Sequence, residues 1–249
     1  MDSMKSKRSV SVIIPAYNEE QRIASTITRV IEYFSGRGQE YEIIVVDDGS
    51  TDKTLDIIKR ECHNRVKNLH FLYNIKNMGK GFSIKRGMMF ARGEIAFFTD
   101  ADLSTPIEEF SKLESAIFEE GYDIAIGSRG LPGSRKTVPQ GFFRDRMGKL
   151  FGLLVRFILL KDIYDSQCGF KAFRRDCAHF VFYWQTIFRF GFDPEILYIA
   201  KLHNYKIKEI PVEWGNNFDS KLDPVKDTLM IGFELFKVKL KSILGHYTL

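Results

Sequence analysis

The segment YEIIVVDDGSTDKTLDIIKREC (41–62) holds one strand followed by one helix, and this unit decides the fold class. Its β-branched and apolar run predicts a buried strand over 41–50. The apolar residues after it recur at helical spacing, and Ser50 is the predicted N-cap of that helix. Asp47 and Asp48 therefore stand where a buried strand gives way to a helix.

The same alternation continues on both sides of this unit. Further strands are predicted at SVSVIIPA (9–16), LHFLYN (69–74), EIAFFTD (94–100), YDIAIGSR (122–129) and KIKEIPVEW (206–214). Helices are predicted over 19–38, 79–93, 106–121 and 226–244. Such alternation predicts an α/β fold, with a Rossmann-like, mostly parallel sheet that carries helices on both faces.

The bulk composition limits the function classes. The chain has 249 residues, which suits one large α/β domain with a small appendage. Its net charge of +5 favours acidic partners such as phosphates, nucleic acid or an anionic membrane, without choosing among them. Cys62, Cys168 and Cys177 lack the spacing of a disulfide framework or a zinc site, so free thiols are expected. The nearest candidate for a membrane span, LFGLLVRFILL (150–160), is too short and contains Arg156.

Five predicted strands end in polar or glycine-containing motifs. These are PAYNE (15–19), DDGS (47–50), NMGKG (77–81), DAD (100–102) and GSR (127–129). In a parallel sheet the carboxyl ends of the strands lie along one edge, and ligands bind there. The five motifs together therefore predict a single site.

The DAD motif predicts a metal site. Asp100 and Asp102 are two residues apart, so in an extended segment their carboxylates point the same way and repel each other. A divalent cation removes that conflict, and hard oxygen ligands suit Mg²⁺ or Mn²⁺ held together with substrate phosphates. The alternative is that Asp102 caps the helix that begins near Pro106.

The DDGS and PAYNE motifs predict a nucleotide site. Asp47 and Asp48 suit hydrogen bonds from a base N–H or ribose hydroxyls, although DDGST is also a common turn and cap sequence. Tyr17 suits stacking on a base, and Asn18 or Glu19 suits contacts to ribose. No GxGxxG motif is present, which argues against a dinucleotide-dependent dehydrogenase.

Basic residues at two strand ends predict phosphate binding. Lys80 lies between Gly79 and Gly81, whose bare backbone lets a pyrophosphate approach, although an ordinary solvated lysine is the alternative. Arg129 has the fork geometry for bidentate phosphate binding. More basic residues follow it, and they form either a second anion site or a solvated loop: Arg135, Lys136, Arg144 and Arg146.

The order and spacing of PAYNE, VVDDGSTD, NMGKG, DADLSTP and GSR resemble family 2 glycosyltransferases with the GT-A fold. The later segments DSQCGFKAFRRD (165–176), GFDPEILYIA (191–200) and W…SKL (214–222) are similar to dolichyl-phosphate β-glucosyltransferases and their bacterial polyprenyl-phosphate relatives. The resemblance implies inverting, metal-dependent transfer of a hexose, glucose from UDP-glucose, to a polyprenyl or dolichyl phosphate. It implies a GT-A domain over 1–225, with a nucleotide-sugar half to residue 129 and an acceptor half after it.

The resemblance assigns roles to particular residues, with Asp48 ranked ahead of Asp47 as a nucleotide ligand. The metal ligands are Asp100 and Asp102, and Asp165 either orients the acceptor, acts as a base or only shapes a turn. The nucleotide-sugar set is Pro15, Tyr17, Asn18, Glu19, Asp47, Asp48, Gly79, Lys80, Asp100 and Ala101. The acceptor-phosphate set is Arg129, Arg144 and Lys221, and Arg129 also counts with Asp100, Asp102 and Asp165 as catalytic.

Two departures favour glucose over mannose as the sugar. Dolichyl-phosphate mannose synthases typically have glutamine where Ser104 stands and an arginine near Gly215. The alternatives are another donor, such as GDP-mannose or UDP-GlcNAc, or a polysaccharide hydroxyl as acceptor, which needs a base that no ED or TED motif supplies. A nucleotide-sugar-binding membrane scaffold without catalysis is the non-enzyme alternative.

A polyprenyl acceptor predicts contact with a membrane. KLFGLLVRFILLKD (149–162) has an apolar body flanked by cations, as interfacial helices do, and the 226–249 segment is a similar amphipathic candidate. Burial in the core is the alternative for both. We expect a peripheral protein on the cytoplasmic face of a membrane, with an anchoring membrane protein as a possible partner. The N-terminal membrane anchor of the eukaryotic glucosyl enzymes is not found in this sequence.

Overall fold

The computed structural model describes residues 8–64, 68–136, 152–189, 191–215 and 224–248. The first half contains β1 (Ser9–Ala16), α1 (Ile23–Gly36), β2 (Glu40–Asp47), α2 (Thr54–Asn64), β3 (Leu69–Tyr73), α3 (Lys80–Phe90), β4 (Ile95–Thr99), a 3₁₀ turn (Ile107–Glu109), α4 (Phe110–Phe118) and β5 (Ile124–Ser128). The second half contains β6 (Arg135–Lys136), α5 (152–158), β7 (Phe170–Arg174), α6 (Arg175–Trp184), α7 (Phe192–Leu202), β8 (Ile207–Pro211), β9 (Glu213–Trp214) and α8 (Pro224–Ile243).

The main sheet has seven strands in the order β3-β2-β1-β4-β7-β5-β8. Strands β3, β2, β1 and β4 pair in parallel, as do β5 and β8, while β7 pairs antiparallel with both β4 and β5. The predicted mostly parallel sheet is therefore confirmed. The sequence did not predict β7, because FKAFR is a short run inside a segment that otherwise reads as a functional motif.

Helices cover both faces of this sheet, as predicted. In β1, Val10, Val12 and Ile14 belong to the core beneath α1, α2 and α4, while Ile13 belongs to the core beneath α3, α6 and α7. All four side chains are fully buried. Burial on both faces explains why the central strands are continuously apolar rather than alternating.

The helix after β2 begins differently from the prediction. Helix α2 starts at Thr54, and the Thr54 N–H donates to Asp52 Oδ1 at 2.9 Å. The Ser50 hydroxyl instead accepts the Asn18 N–H at 2.9 Å. Ser50 is therefore not the N-cap. Its hydroxyl joins the loops after β1 and β2, and Asp52 accepts the backbone N–H at the start of α2.

The expectations on membrane-spanning helices and on the cysteines can also be compared with the structure. Within the described ranges, no helix has both the length and the apolar composition needed to cross a membrane. Cys62, Cys168 and Cys177 are free, as expected. Lys149, in the first predicted interfacial segment, lies outside the described residues.

Candidate active site

The carboxyl end of β4 presents the two aspartates of the DAD motif. Asp100 and Asp102 follow the last residue of β4, and both side chains are partly exposed. The Asp102 Oδ1 atom accepts the Ser104 N–H at 2.9 Å, and the 3₁₀ turn that follows has no side-chain cap. The capping alternative for Asp102 is therefore wrong.

Two further contacts fix the backbone of the DAD loop. The Ala101 carbonyl accepts a hydrogen bond from Thr26 Oγ1 at 2.5 Å. The Ser104 carbonyl accepts the Gly215 N–H at 2.7 Å. Ser104 and Gly215, the positions at which the sequence departs from the mannose synthases, are thus neighbours on one side of the aspartates.

Lys80, the first residue of α3, reaches Asp100 from the loop that follows β3. Its ammonium forms an ion pair with Asp100 Oδ1, and only 24% of the Lys80 side chain is exposed. Burial alone would lower the pKa of Lys80, but the surrounding carboxylates, Asp100 first and then Asp193 and Asp102, together outweigh burial and keep that pKa above its ordinary value. The alternative of a solvated surface lysine is therefore wrong. A permanent cation beside Asp100 is what a bound diphosphate needs.

Gly169 brings the backbone before β7 against Asp100. Strand β7 pairs with β4 in a register that places Phe170 opposite Thr99. A Cβ atom at Gly169 would lie 2.1 Å from Asp100 Oδ2, so no side chain fits at this position. Sequence reasoning missed this residue; the glycine inside the SQCGFK segment was its only signal.

Asp48 organises the NMGKG loop. Its Oδ1 atom accepts Asn74 Nδ2 at 2.7 Å and the Met78 N–H at 2.9 Å, and its Oδ2 atom accepts the Gly79 N–H at 2.9 Å. The sequence ranks Asp48 ahead of Asp47 as a nucleotide ligand. The structure shows that Asp48 has already committed both oxygens to the loop that carries Lys80.

Asp47, unlike Asp48, has a carboxylate oxygen that accepts no hydrogen bond from the described residues. Its Oδ2 atom accepts the Ser50 N–H at 3.2 Å, whereas Oδ1 is buried and, among the described residues, has no hydrogen-bond partner. Ala16 is the register partner of Asp47, so Pro15 and Tyr17 lie at the same end of the sheet as Asp47. A buried acceptor without a donor costs stability unless a ligand satisfies it.

Asn18 and Glu19 join the first two loops. The Asn18 Oδ1 atom accepts the Thr51 N–H at 2.8 Å, and Asn18 adopts a left-handed conformation with φ of 55°. The Glu19 N–H donates to Thr54 Oγ1 at 2.7 Å. Both residues thereby hold the loop after β1 against the loop after β2, next to Asp47.

Arg129 and Asp165 form a partly buried bidentate pair. Asp165 accepts Arg129 Nε at 2.7 Å, Nη2 at 2.8 Å and the Arg129 N–H at 2.9 Å. Burial alone would raise the pKa of Asp165, but the guanidinium outweighs it and holds that pKa below its usual value. An aspartate held in this way is a poor proton acceptor. The geometry supports orientation of Arg129 by Asp165 rather than general-base catalysis.

A second buried ion pair lies behind Asp100. Lys171 in β7 is fully buried, pairs with Asp193 in α7 and donates to the Cys168 carbonyl at 2.7 Å. Burial raises the pKa of Asp193, and the ammonium groups of Lys171 and Lys80 only partly offset this. Sequence reasoning did not assign this pair a role, because its members are 22 residues apart.

The carboxylates present suit a divalent cation in part. Asp100 and Asp102 offer hard oxygen atoms at one strand end, which fits Mg²⁺ or Mn²⁺ completed by diphosphate oxygens. In the part of the chain that the structure describes, no cluster of three or more His, Cys, Asp or Glu side chains forms a metal cage. Arg144, Arg146 and Lys221 lie outside the described residues.

Comparison with known proteins decides the family. The family model for glycosyl transferase family 2 matches residues 11–182, which include β1 to β5, the DAD loop and β7. The chain belongs to glycosyl transferase family 2. It is an enzyme that transfers hexosyl groups.

The curated relatives narrow the branch of this family. The chain is 34% identical over 246 residues to the dolichyl-phosphate beta-glucosyltransferase of Dictyostelium discoideum, covering 95% of this chain and 75% of the relative. It is 34% identical over 253 residues to the enzyme of that name from Homo sapiens, covering 97% and 78%.

The solved structures agree on the fold. Glucosyl-3-phosphoglycerate synthase from Mycobacterium tuberculosis, solved with Mn²⁺, uridine-diphosphate and phosphoglyceric acid, has a TM-score of 0.68. The likeness covers 98% of this chain and 80% of that chain at 20% identity. At this identity the likeness establishes the predicted GT-A fold.

We expect Gly169→Ala to weaken Mn²⁺ binding by about 10–100-fold, the range found when the surroundings of metal ligands are altered. The added methyl group would overlap Asp100 Oδ2 and push that carboxylate out of place. Titration calorimetry with Mn²⁺ and UDP measures the effect. Gly130→Ala is the matched control, because nothing lies within 4 Å of a Cβ there. Equal affinities in the two variants would contradict the assigned role of Gly169.

We expect Asp165→Asn to lower the free energy of unfolding at pH 7 by about 1–3 kcal/mol, since it leaves the partly buried Arg129 guanidinium without its charged partner. The folded-state pKa of Asp165 is depressed, so this stabilisation is present above the ordinary carboxyl pKa of about 3.9 and is lost as pH falls below it. The gap between wild type and variant should therefore be full at pH 7 and narrow only below about pH 4.

Urea denaturation at several pH values measures this gap. Asp162→Asn is the control, because the Asp162–Lys201 pair is exposed and should contribute little. A gap that stays constant with pH would show that the Asp165 pair does not depend on the carboxylate charge.

Proposed function

We propose that this enzyme transfers glucose from UDP-glucose to the phosphate of a polyprenyl or dolichyl lipid, with inversion at the anomeric carbon. One observation carries the proposal: the Lys80–Asp100 pair and the Arg129–Asp165 pair lie at the same edge of the sheet. The Asp100 carboxylate also contributes to the raised pKa of Arg129, so the two pairs are close enough to interact. Two neighbouring anion sites suit a diphosphate donor and a phosphate acceptor.

The donor half of this proposal uses the loops after β1, β2, β3 and β4, within residues 1–129. Asp47 Oδ1, buried and without a partner among the described residues, would accept the base N–H, and Tyr17 would cover the ring. Lys80 would contact the diphosphate. A Mg²⁺ or Mn²⁺ ion on Asp100 and Asp102 would act as a Lewis acid toward the leaving diphosphate.

The acceptor half uses Arg129. Asp165 accepts hydrogen bonds from the Nε and Nη2 atoms of Arg129, so Nη1 is the atom we propose for binding the acceptor phosphate. A phosphate bound there is already an anion, so attack on the anomeric carbon requires no strong base. Asp165 fits this chemistry, because it orients Arg129 and need not take a proton.

Relatives support this acceptor over the alternatives. The curated relatives named dolichyl-phosphate beta-glucosyltransferase cover most of this chain, and their name specifies a lipid phosphate. A sugar hydroxyl as acceptor would need a general base, and the pairing of Asp165 with Arg129 disfavours that role. A sensor or scaffold without catalysis would not need an arginine held in place beside the proposed metal ligands.

Helix α8 supplies a surface for contact with a lipid membrane. Its large exposed apolar side chains recur at helical spacing and continue just beyond the helix: Phe233, Phe236, Leu240, Ile243 and Leu244. Lys237 is exposed beside this stripe, and a cation next to an apolar stripe is typical of helices that lie on anionic membranes. In α5, Leu153 and Phe157 are also exposed. We therefore propose peripheral attachment, on the reducing cytoplasmic side that free cysteines favour.

The proposed transfer is tested with a donor and acceptor screen. Purified enzyme with Mg²⁺ or Mn²⁺ should transfer glucose from UDP-glucose to polyprenyl phosphate but not to unphosphorylated polyprenol. Asp100→Asn should lower the rate at least about 100-fold, because both the Lys80 pair and the metal lose a carboxylate charge. Asp176→Asn, at an exposed aspartate 96% accessible, is the control. Transfer that ignores the acceptor phosphate would refute the proposed function.

The membrane surface is tested with anionic liposomes. The double substitution Phe236→Glu and Ile243→Glu should abolish co-sedimentation, because it places two charges in the apolar stripe. Tyr183→Glu is the matched control, at an exposed aromatic residue on α6 rather than on α8. If both variants bind liposomes as wild type does, α8 does not contact the membrane.

A further inference from the structure

Residues 185–188, which we call the bridging loop, support the glycine before Lys80. The Phe188 carbonyl accepts the Phe82 N–H at 3.1 Å, and the Phe82 and Phe188 rings meet edge to face at 5.2 Å. Gly79 has φ of 103°, and a Cβ there would lie 2.4 Å from the Phe188 carbonyl oxygen. The bridging loop therefore sets where α3, and with it Lys80, begins.

The bridging loop also supports the glycine after Lys80. The Gln185 Nε2 atom donates to the Gly81 carbonyl at 3.0 Å and to the Ile187 carbonyl at 2.7 Å. A Cβ at Gly81 would lie 2.7 Å from the Cβ of Phe192 and 3.0 Å from Gln185 Nε2. The bridging loop therefore contacts the backbone on both sides of Lys80, through Phe188 on one side and Gln185 on the other.

Glu195 holds the bridging loop in place. This α7 side chain is fully buried. It accepts the Thr186 N–H at 3.0 and 3.1 Å, the Thr186 hydroxyl at 2.5 Å and the Ile187 N–H at 2.8 Å. A buried carboxylate needs every one of these donors, because it has no water to replace them. The position of Glu195 and that of the loop are therefore coupled.

Tyr247, after α8, completes the coordination of Glu195. Its side chain is 1% exposed, and its hydroxyl donates to Glu195 Oε1 at 2.7 Å. The Tyr247 carbonyl accepts a hydrogen bond from His203 Nε2 at 2.7 Å, which fixes this turn against the end of α7. Lys241 Nζ adds a bond to Thr186 Oγ1 at 2.7 Å. The segment that ends α8 is thus bonded to the support of the Lys80 loop.

We propose that Glu195 and Tyr247 are positioning residues for the donor diphosphate, acting through the bridging loop on Lys80. The inference rests on the proposed function, in which Lys80 contacts that diphosphate. Both side chains are buried and act only through other residues. Loss of the Tyr247 hydroxyl removes one donor from Glu195, and the carboxylate and its loop must shift to compensate. A small displacement of Lys80 weakens contact with the diphosphate.

Tyr247→Phe tests the proposal, with UDP and Mn²⁺ as the probe. Titration calorimetry should show UDP affinity reduced about tenfold, the scale of a lost hydrogen bond to a charged group. In steady-state assays KM for UDP-glucose should rise, while KM for polyprenyl phosphate should not change. Thr186→Val should act in the same direction, and Thr186→Ser, which keeps the hydroxyl donor, should restore wild-type affinity.

Tyr198→Phe is the matched control. The Tyr198 hydroxyl also joins α7 to α8, through Ser242 Oγ at 3.0 Å, but it has no bond to the bridging loop. Its loss should lower the thermal midpoint without changing UDP affinity. Equal weakening of UDP binding in both tyrosine variants, or unchanged UDP binding in Tyr247→Phe, would overturn the proposal while wild-type transfer still upholds the proposed function. Wild-type protein that neither binds UDP nor transfers glucose would overturn both.

Discussion

The placement of the Asp100 carboxylate is the constraint on which the rest of the site depends. Lys80 pairs with one of its oxygens, and the backbone of Gly169 lies against the other. The first contact neutralises charge at the end of a fully buried strand. The second leaves no space for a side chain and thereby restricts how the carboxylate turns. A carboxylate held from two sides is pre-organised for the proposed cation and diphosphate, so the proposed transfer would require little reorganisation there.

Strand β7 explains how this constraint is met. It runs against the direction of its neighbours β4 and β5, so its start lies at the edge where the other strands end. Gly169 and Lys171, around the start of β7, therefore lie close to Asp100, at the end of β4. Lys171 carries its charge into the core, where Asp193 compensates it. Such a pair contributes less to net stability than to a unique arrangement, because burying two charges costs nearly what their attraction returns.

Several acidic residues of the site hold structure rather than substrate. Asp48 fastens the NMGKG loop, Asp165 orients Arg129, and Glu195 fastens the bridging loop. Each accepts several N–H or hydroxyl donors, which fix the position of its carboxylate. Asp100 and Asp102 are partly exposed, and Asp47 has one oxygen without a hydrogen-bond partner among the described residues, so these three are the proposed ligand contacts. This division leaves the proposed ligand contacts to a small set on a rigid frame, as the proposed transfer requires.

The sequence alone determined the α/β class and the succession of strands and helices in the first half of the chain. It also determined the edge of the sheet at which the candidate site lies. Periodicity and strand-end motifs are local properties, and they also marked Asp100, Asp102, Lys80 and Arg129. Only the tertiary structure decided which partner each charge has. Asp165 meets Arg129 across 36 residues, Lys171 meets Asp193 across 22, and Tyr247 meets Glu195 across 52. No local pattern encodes such pairings, because they depend on the reversal of β7 and on how α7 and α8 pack, which the whole core determines.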